Sequence, residues 1–523
     1  MTRRGSLFAA AAAFSVLAVT LAACGGGNTS SSTTGKTNET IVLGTTDKVT
    51  SLDPAGAYDL GSWTLMYNMY QTLLKIPVGS TTPQPDAATC SFSNPTTYRC
   101  VLRGGLTFSN GDPLTATDAK FTFDRMLAIK NPNGPSSLFS SLKSTAAPDA
   151  KTVVFTLNQA DATFPYVLST AAGALVDHKV FPASKLLADS NVIGSGRYVL
   201  SKYQAGQQAV FKPNTKYSGD EKLSNGGFIV HYFAQPSALK LAIQQGSVDV
   251  AYRNLSPTDL TSLKSNAKLS VIEGKGTEIR YVVFDFKTAV GGNAAVRKAV
   301  AQVIDRQAIA SNAYNNTVKP LYSLIPNGLA GATESYKDTY GTSPDVAKAK
   351  ATLASAGVKT PVALTLGWTP SHYGPNLADE ATQIQRQLQA SGLFKVTLKD
   401  AEWTQYQTLY KQGAYDAYLL GWFPDYPDAD DYTLPFLVKG GFYQNGYDNP
   451  AVDSLVAQEK ASSSQATRNA IFAKIQTQTA KDVPVVPTWQ GGEIAVAGTK
   501  VTGVESTLDP SYTFRFWVVG KKG

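Results

Sequence analysis

Residues 361–420 change hydrophobic period again and again: 361–368 read as a strand, 377–390 as a helix, 394–399 as a strand, 406–412 as a helix and 415–420 as a strand. A strand hides alternate residues and a helix hides a stripe, so two successive helix–strand units can bury their apolar faces only as a sheet covered by helices. The chain is thereby confined to an α/β architecture. The other segments supply the same materials. Strands are expected at 40–46, within 98–108, and at 153–157, 248–252 and 280–286. Helices are expected at 67–74, stopped by Pro77, and at 117–128, 237–245 closed by Gly246, 294–310 and 467–480. Residues 483–489 carry Pro484 and Pro487 and read as an edge segment. At 523 residues the chain exceeds what one hydrophobic core serves, so several lobes are expected.

The N-terminus is a targeting segment. Arg3 and Arg4 precede an Ala-rich apolar stretch, 7–21, which is short for a membrane span and ends in Leu21-Ala22-Ala23-Cys24. Those four residues resemble a bacterial lipobox, in which the Cys sulfur is lipidated and becomes the first residue of the mature protein; an ordinary secretory peptide with a chance Cys is the alternative. Residues 24–38 then form a Gly/Ser/Thr tether. Cys90 and Cys100, the remaining cysteines, flank the turn-forming Asn94-Pro95 in an exported chain, where a disulfide is the natural reading and two buried thiols the alternative.

Hydrophobic residues make up 43% and charged residues 16%, against about 25% in typical domains, which excludes disorder for most of the length. The net charge of +8 is scattered, so no basic stripe tracks a phosphate backbone, and a nucleic-acid partner is excluded. No G-x-S-x-G or H-E-x-x-H motif is present, and His178, His231 and His372 are too far apart in sequence for metal-ligand spacing. Gly35-Lys36-Thr37 lacks the leading Gly of a phosphate loop. The acidic cluster Asp425, Asp428, Asp430 and Asp431 lacks the Gly and terminal Glu of a calcium loop. No enzyme, metal or cofactor is indicated. The residue types that remain suit recognition. Trp403 and Trp422 are either flat cleft walls or core, and Arg253 with Asn254 follows a strand end, where Arg253 either grips a carboxylate or makes a surface salt bridge. Arg280 and Tyr58 are further candidates.

Residues 102–125, LRGGLTFSNGDPLTATDAKFTFDR, closely resemble the signature of the solute-binding proteins of oligopeptide and dipeptide ABC importers. Leu52-Asp53-Pro54, residues 194–198 with Asn214 and Tyr217, 246–250, Val296-Arg297-Lys298-Ala299, Ile304-Asp305-Arg306, and Gly421-Trp422 with Asp425 are similar to further landmarks, in order, from about Thr40 to the C-terminus. Ser195 and Arg197 depart from a usual Thr and Pro, and Asp285 from a usual Asn. The resemblance implies a periplasmic-binding-protein-like α/β fold of two lobes that close about a hinge, with an extra inserted domain. It places a signal peptide at 1–23 and domain I at 39–77, 194–286 and 496–523. Domain II is then 78–193 and domain III 287–495, with chain crossings near 286 and 495. Asp425 matches the family's partner of the peptide amino group. The implied protein is a monomer on the outer face of the cytoplasmic membrane, anchored by lipid, that captures peptides and delivers them to ABC permease subunits. The same fold binding an oligosaccharide, nickel chelate or opine is the alternative, and a surface hydrolase using two of the clustered acids a more remote one.

Overall fold

In the computed structural model, residues 39–370 and 372–522 are described; the export segment, Cys24 and the tether lie outside them. Strand Thr40–Thr45 buries Ile41 and Leu43 completely and runs parallel to both its neighbours, Gly227–Tyr232 and Val250–Tyr252. Around it grows a seven-stranded sheet, completed on one side by Gln208–Pro213 and Tyr198–Gln204 and on the other by Ile494–Gly498 and Leu269–Glu273. Helix Pro236–Gln245 covers one face through Leu239 and Ile243. The other face shares a core with helix Leu60–Met69 and with a four-stranded antiparallel sheet formed by Ala88–Asn94, Thr97–Leu102, Leu142–Ala146 and Thr152–Leu157. This smaller sheet carries helix Ala116–Ile129, which opens with a capping box between Thr115 and Asp118.

The alternation at 361–420 builds the second lobe as expected. Val362–Trp368 is parallel to both Phe394–Asp400 and Ala417–Trp422, with helices Leu377–Ala390 and Trp403–Lys411 in the connections. A six-stranded sheet results when Glu278–Phe284, Val485–Gly491 and Val318–Pro320 join antiparallel. Together these layers are a two-lobed α/β molecule. Among the described residues, no helix is long and apolar enough to cross a membrane.

Four expectations are corrected. The helix expected at 67–74 lies at Leu60–Met69, because Asp59 accepts from the Ser62 N–H and starts it earlier. The single helix 294–310 is two, Ala294–Val303 and Arg306–Asn312, because extended Asp305 accepts from the Ala308 N–H and caps a new start. Val485–Gly491 is an inner strand, not an edge, and Pro487 is accommodated where the register shifts beside Tyr281. The crossing expected near 286 lies at 274–277, since Glu278–Phe284 pairs wholly within the six-stranded sheet; the second crossing is at 492–493.

Several landmark residues prove to be fasteners. Arg125 grips Asp53 with both terminal nitrogens, at 2.8 and 2.6 Å, both side chains being fully buried, and so ties the inserted domain to the start of the first lobe. Cys90 and Cys100 face each other across a hairpin of the four-stranded sheet and form a disulfide.

Candidate functional site

Of the candidate residues, Arg253, Asn254 and Arg280 line one cavity, Tyr58, Trp422 and Asp425 form a separate group, and Trp403 stands apart from both. Trp422 ends strand Ala417–Trp422, and the chain then turns back over Asp431. The Trp422 Nε1–H and the Asp425 N–H both donate to Asp431 Oδ2, each at 2.9 Å, so one acid fixes the turn that carries the other. Asp425 in turn receives the Tyr58 hydroxyl from the first lobe. Of the remaining acids, Asp428 is clamped by Arg468 at 2.6 and 2.8 Å and also meets the Tyr166 hydroxyl of the inserted domain, and Asp430 receives the Tyr426 hydroxyl at 3.1 Å. Asp425 and Asp428 thus both meet tyrosines of the first lobe, Tyr58 and Tyr166. Burial pushes its carboxyl up to about 7, against the opposing help of the Tyr58 hydroxyl and its Asp431 contact. Burial and then the charge of Asp425 raise Asp431 further still.

Tyr58 stacks on Trp63 at 5.5 Å between ring centres, and Trp63 meets Tyr67 edge-on at 6.3 Å, giving the acidic end an aromatic floor in the first lobe. Trp422 is half-buried and meets Phe436 and Phe442 edge-on.

A basic end lies beside it. Arg253 and Asn254 both adopt left-handed backbone, at φ 66° and 60°, which for two successive residues with side chains is strain held by the surroundings. The holding contacts run from the Asn254 amide to Thr46 Oγ1 at 2.9 Å and to Asp47 Oδ1 at 3.2 Å. Arg253 Nε is 3.4 Å from Asp47, and its guanidinium lies 4.6 Å from the Phe423 ring centre of the opposite lobe. Arg280, fully buried, approaches the same ring to 5.1 Å, lies against Tyr373 and Trp489, and pairs with Glu278. Two guanidiniums from different lobes thus share Phe423.

Arg253, Asn254, Arg280, Tyr373, Phe423 and Trp489 line a cavity of about 140 Å³ that also touches Glu278, Tyr314, Tyr512 and Glu493, whereas Asp425, Trp422 and Tyr58 are not on its wall. Glu493 sits in the second crossing, where burial pushes it up to about 8 despite the Tyr252 hydroxyl it accepts. Glu380 is fully buried and holds two cavity walls, accepting from Tyr314 at 2.7 Å and Trp489 at 2.9 Å. Trp403 does not line this cavity; it stands behind Tyr373, edge to face at 5.4 Å, and stacks flat on His372 at 3.9 Å. Crowding by the surrounding protein, with Arg280 and Arg253 nearby, lowers His372 from its ordinary value, although the residue is exposed to solvent. Asp285 lies at the opposite end of its strand, where it accepts the Lys287 N–H at 2.9 Å.

Sequence reasoning missed Phe423, Glu278, Tyr373, Trp489 and Tyr512, because neither the strand residues Glu278 and Trp489 nor the loop residues Phe423, Tyr373 and Tyr512 carry a local mark of facing a cleft. Phe423 alone had a usable signal, lying between Trp422 and Asp425. Among the described residues, the grouping with metal-ligand spacing is Asp118, Asp177 and His178, in the inserted domain and outside the cleft.

Comparison with known proteins bears on the fold and the family. The di/tripeptide-binding protein 1 of Pseudomonas aeruginosa is 28% identical over 424 residues, covering 75% of this chain and 77% of that one. A periplasmic binding protein of Helicobacter pylori, solved with a peptide, superposes with a TM-score of 0.80 at 22% identity, covering 93% of this chain and 99% of that chain. A binding protein of Agrobacterium tumefaciens solved with agropinic acid gives 0.78 at 22% identity over 92% of this chain and 99% of its own, so the same fold accommodates an opine. Residues 82–444, more than half of the sequence, match one family directly, and the chain belongs to the bacterial extracellular solute-binding proteins, family 5.

Proposed function

We propose that this solute-binding protein captures short peptides between its lobes and delivers them to the permease of an ABC importer. What supports the reading is that Asp425, which accepts the Tyr58 hydroxyl of the first lobe, lies two positions along the chain from Phe423, whose ring meets the Arg253 and Arg280 guanidiniums, so the segment after strand Ala417–Trp422 carries an acid and contacts two cations. A zwitterionic peptide entering such a cleft loses its hydration, so its ammonium needs an acid and its carboxylate a cation. Asp425 serves the ammonium, Arg253 the carboxylate, and Phe423 with Trp422 the apolar surface between. Because contacts from both lobes are needed, occupancy favours the closed arrangement that a permease can sense. The same reading has Cys24 holding the protein to the membrane by lipid, as a monomer, with the tether giving the lobes reach. A Cys24→Ser protein is then released from the membrane fraction.

The deciding experiment is a double perturbation. Asp425→Asn keeps the shape and leaves the ammonium without its partner, a loss of roughly 3–5 kcal/mol in peptide affinity. Acetylating the peptide N-terminus weakens binding to the wild type severely and costs the mutant little more. Calorimetry on the four combinations reads this out. Additive losses, or equal binding of free and acetylated peptide by the wild type, remove Asp425 from the site and turn the reading toward an opine-like cargo.

A further inference from the structure

The lobes also meet through residues that belong to neither crossing and to no wall of the 140 Å³ cavity. On the first-lobe side these are residues 161–166 of the inserted domain. Asp161 Oδ1 accepts the Thr163 N–H at 3.0 Å and the Thr163 hydroxyl at 2.6 Å, and Phe164 and Val167 of the one-turn helix that follows are buried in the first lobe's core. On the second-lobe side, Arg468 clamps Asp428 and, at 2.9 and 3.0 Å, Glu459. That clamp bolts the loop carrying Tyr426 to the end of helix Pro450–Ala461, where Lys460 sits. Each half is therefore fixed within its own lobe, and little freedom is left to lose when the two meet.

Three contacts join the halves. Lys460 Nζ lies 3.3 Å from Asp161 Oδ2, the side chains being 10% and 3% exposed. The Lys460 carbonyl accepts the Ala162 N–H at 2.7 Å. Tyr166 lies against Tyr426, 5.8 Å between ring centres, and its hydroxyl meets Asp428. Tyr426, a residue of the second lobe, is buried in the first lobe's core cluster. The ion pair is charged on both sides. Burial raises the Asp161 carboxyl, yet Lys460 and the Thr163 contacts hold it below its ordinary value; burial lowers Lys460, yet Asp430 and Asp161 hold it above its own. All three contacts bridge segments that the chain connects only through 274–277 and 492–493, so none survives a separation of the lobes. They close at hydrogen-bond and ring-contact distance, which leaves no room for cargo between them.

We propose that Lys460 and Tyr426, gripping Asp161, Ala162 and Tyr166 of the inserted domain, form a clasp that keeps part of the empty protein closed. A contact made only in the closed state adds its whole free energy to closure and nothing to the open state. Closure is then not the work of cargo alone. Any cargo that needs closed lobes has its affinity scaled by the clasp through one common factor, whatever its chemistry. The inserted domain contributes no residue to the 140 Å³ cavity; its part in closure is that of an arm reaching the opposite lobe. This inference goes beyond the peptide reading and does not rest on it.

Hydrogen exchange on the empty, folded chain reads the clasp at a single atom. The Ala162 N–H has the Lys460 carbonyl of the other lobe as its partner, so it is protected only while the lobes are closed. In the empty wild type it exchanges at least threefold more slowly than in an unstructured chain. Lys460→Met removes the ammonium and keeps the stem, and Asp161→Asn removes the charge and keeps an acceptor for Thr163. Both variants abolish the Ala162 protection, and small-angle scattering shows a larger radius of gyration for the empty chain. The Leu168 N–H, bonded to the Phe164 carbonyl at 3.1 Å within the inserted domain, keeps its wild-type rate and shows that the arm is intact. Should Asp161→Asn disturb that amide, Lys460→Met, on the other lobe, decides. Ala162 exchanging at the unstructured rate in the empty wild type overturns the proposal, as do protection and radius unchanged in both variants. No cargo enters the measurement, so a failure of peptides to bind would count against the peptide reading alone and leave this result standing.

Discussion

A single carboxyl sets the electrostatics of the cleft. Burial holds Asp425 at about 7 in the structure, and a bound ammonium favours its charged form and draws that value down. Peptide affinity is therefore fully present above about pH 7 and falls as the pH drops below it, by up to about tenfold per unit, because binding must then expel a proton. Calorimetry at pH 6 in two buffers of different ionisation enthalpy should show proton release on peptide binding, shared with Asp431 since the two titrate together. A pH-independent affinity between 5.5 and 8 would remove Asp425 from the ligand. The sequence offered four acids within 425–431, and spacing alone could not rank them. What separates them is what each meets in space: Arg468 neutralises Asp428, Asp431 braces the turn, and Asp425 reaches Tyr58. Tyr58, more than 360 positions away in sequence, was only a guess until the fold brought it there.

Among the elements, capping overrode hydrophobic period wherever the two disagreed. Residues 294–310 keep a helical apolar stripe across the break, yet extended Asp305 starts a new helix. Asp305→Ala should cost about 1 kcal/mol in urea unfolding by loss of this cap, with peptide affinity unchanged. The Cys90–Cys100 hairpin is legible because the N-terminal segment reads as an export signal and the two cysteines are only ten positions apart. Closing so short a loop contributes roughly 2–3 kcal/mol on the chain-entropy account. Reduction should lower the melting temperature modestly and spare peptide binding, because the hairpin lies in the inserted domain, away from the cleft. Loss of binding on reduction would show that the inserted domain supports the site. Strand Val485–Gly491 was misjudged as an edge because its prolines forbid a regular ladder, whereas the register shift beside Tyr281 lets it run inside the sheet.

At the scale of the whole molecule, the chain crosses between the two large sheets at 274–277 and 492–493, and the two crossings touch each other through glycine. A Cβ on Gly276 would lie 2.5 Å from the Glu493 nitrogen and 2.8 Å from the Gly492 carbonyl carbon, and a Cβ on Gly492 would lie 2.7 Å from the Gly274 oxygen. The lobes also meet through Tyr166 against Tyr426 and through Lys460, 3.3 Å from Asp161. Gly276→Val should force the crossings apart and hold the lobes open. By small-angle scattering the wild type contracts with saturating peptide and the variant does not, with affinity at least tenfold weaker. Equal contraction would place the pivot elsewhere.

By itself the sequence determined the α/β class, the run of helices and strands in the second lobe, the disulfide and the family, because these follow from local period, composition and short motifs. Only the tertiary structure decided where the chain crosses between lobes, which distant side chain each of the neighbouring acids meets, and that Arg253 and Arg280 share Phe423. Those outcomes depend on contacts between residues hundreds of positions apart, and no local pattern encodes which distant surface a side chain will meet.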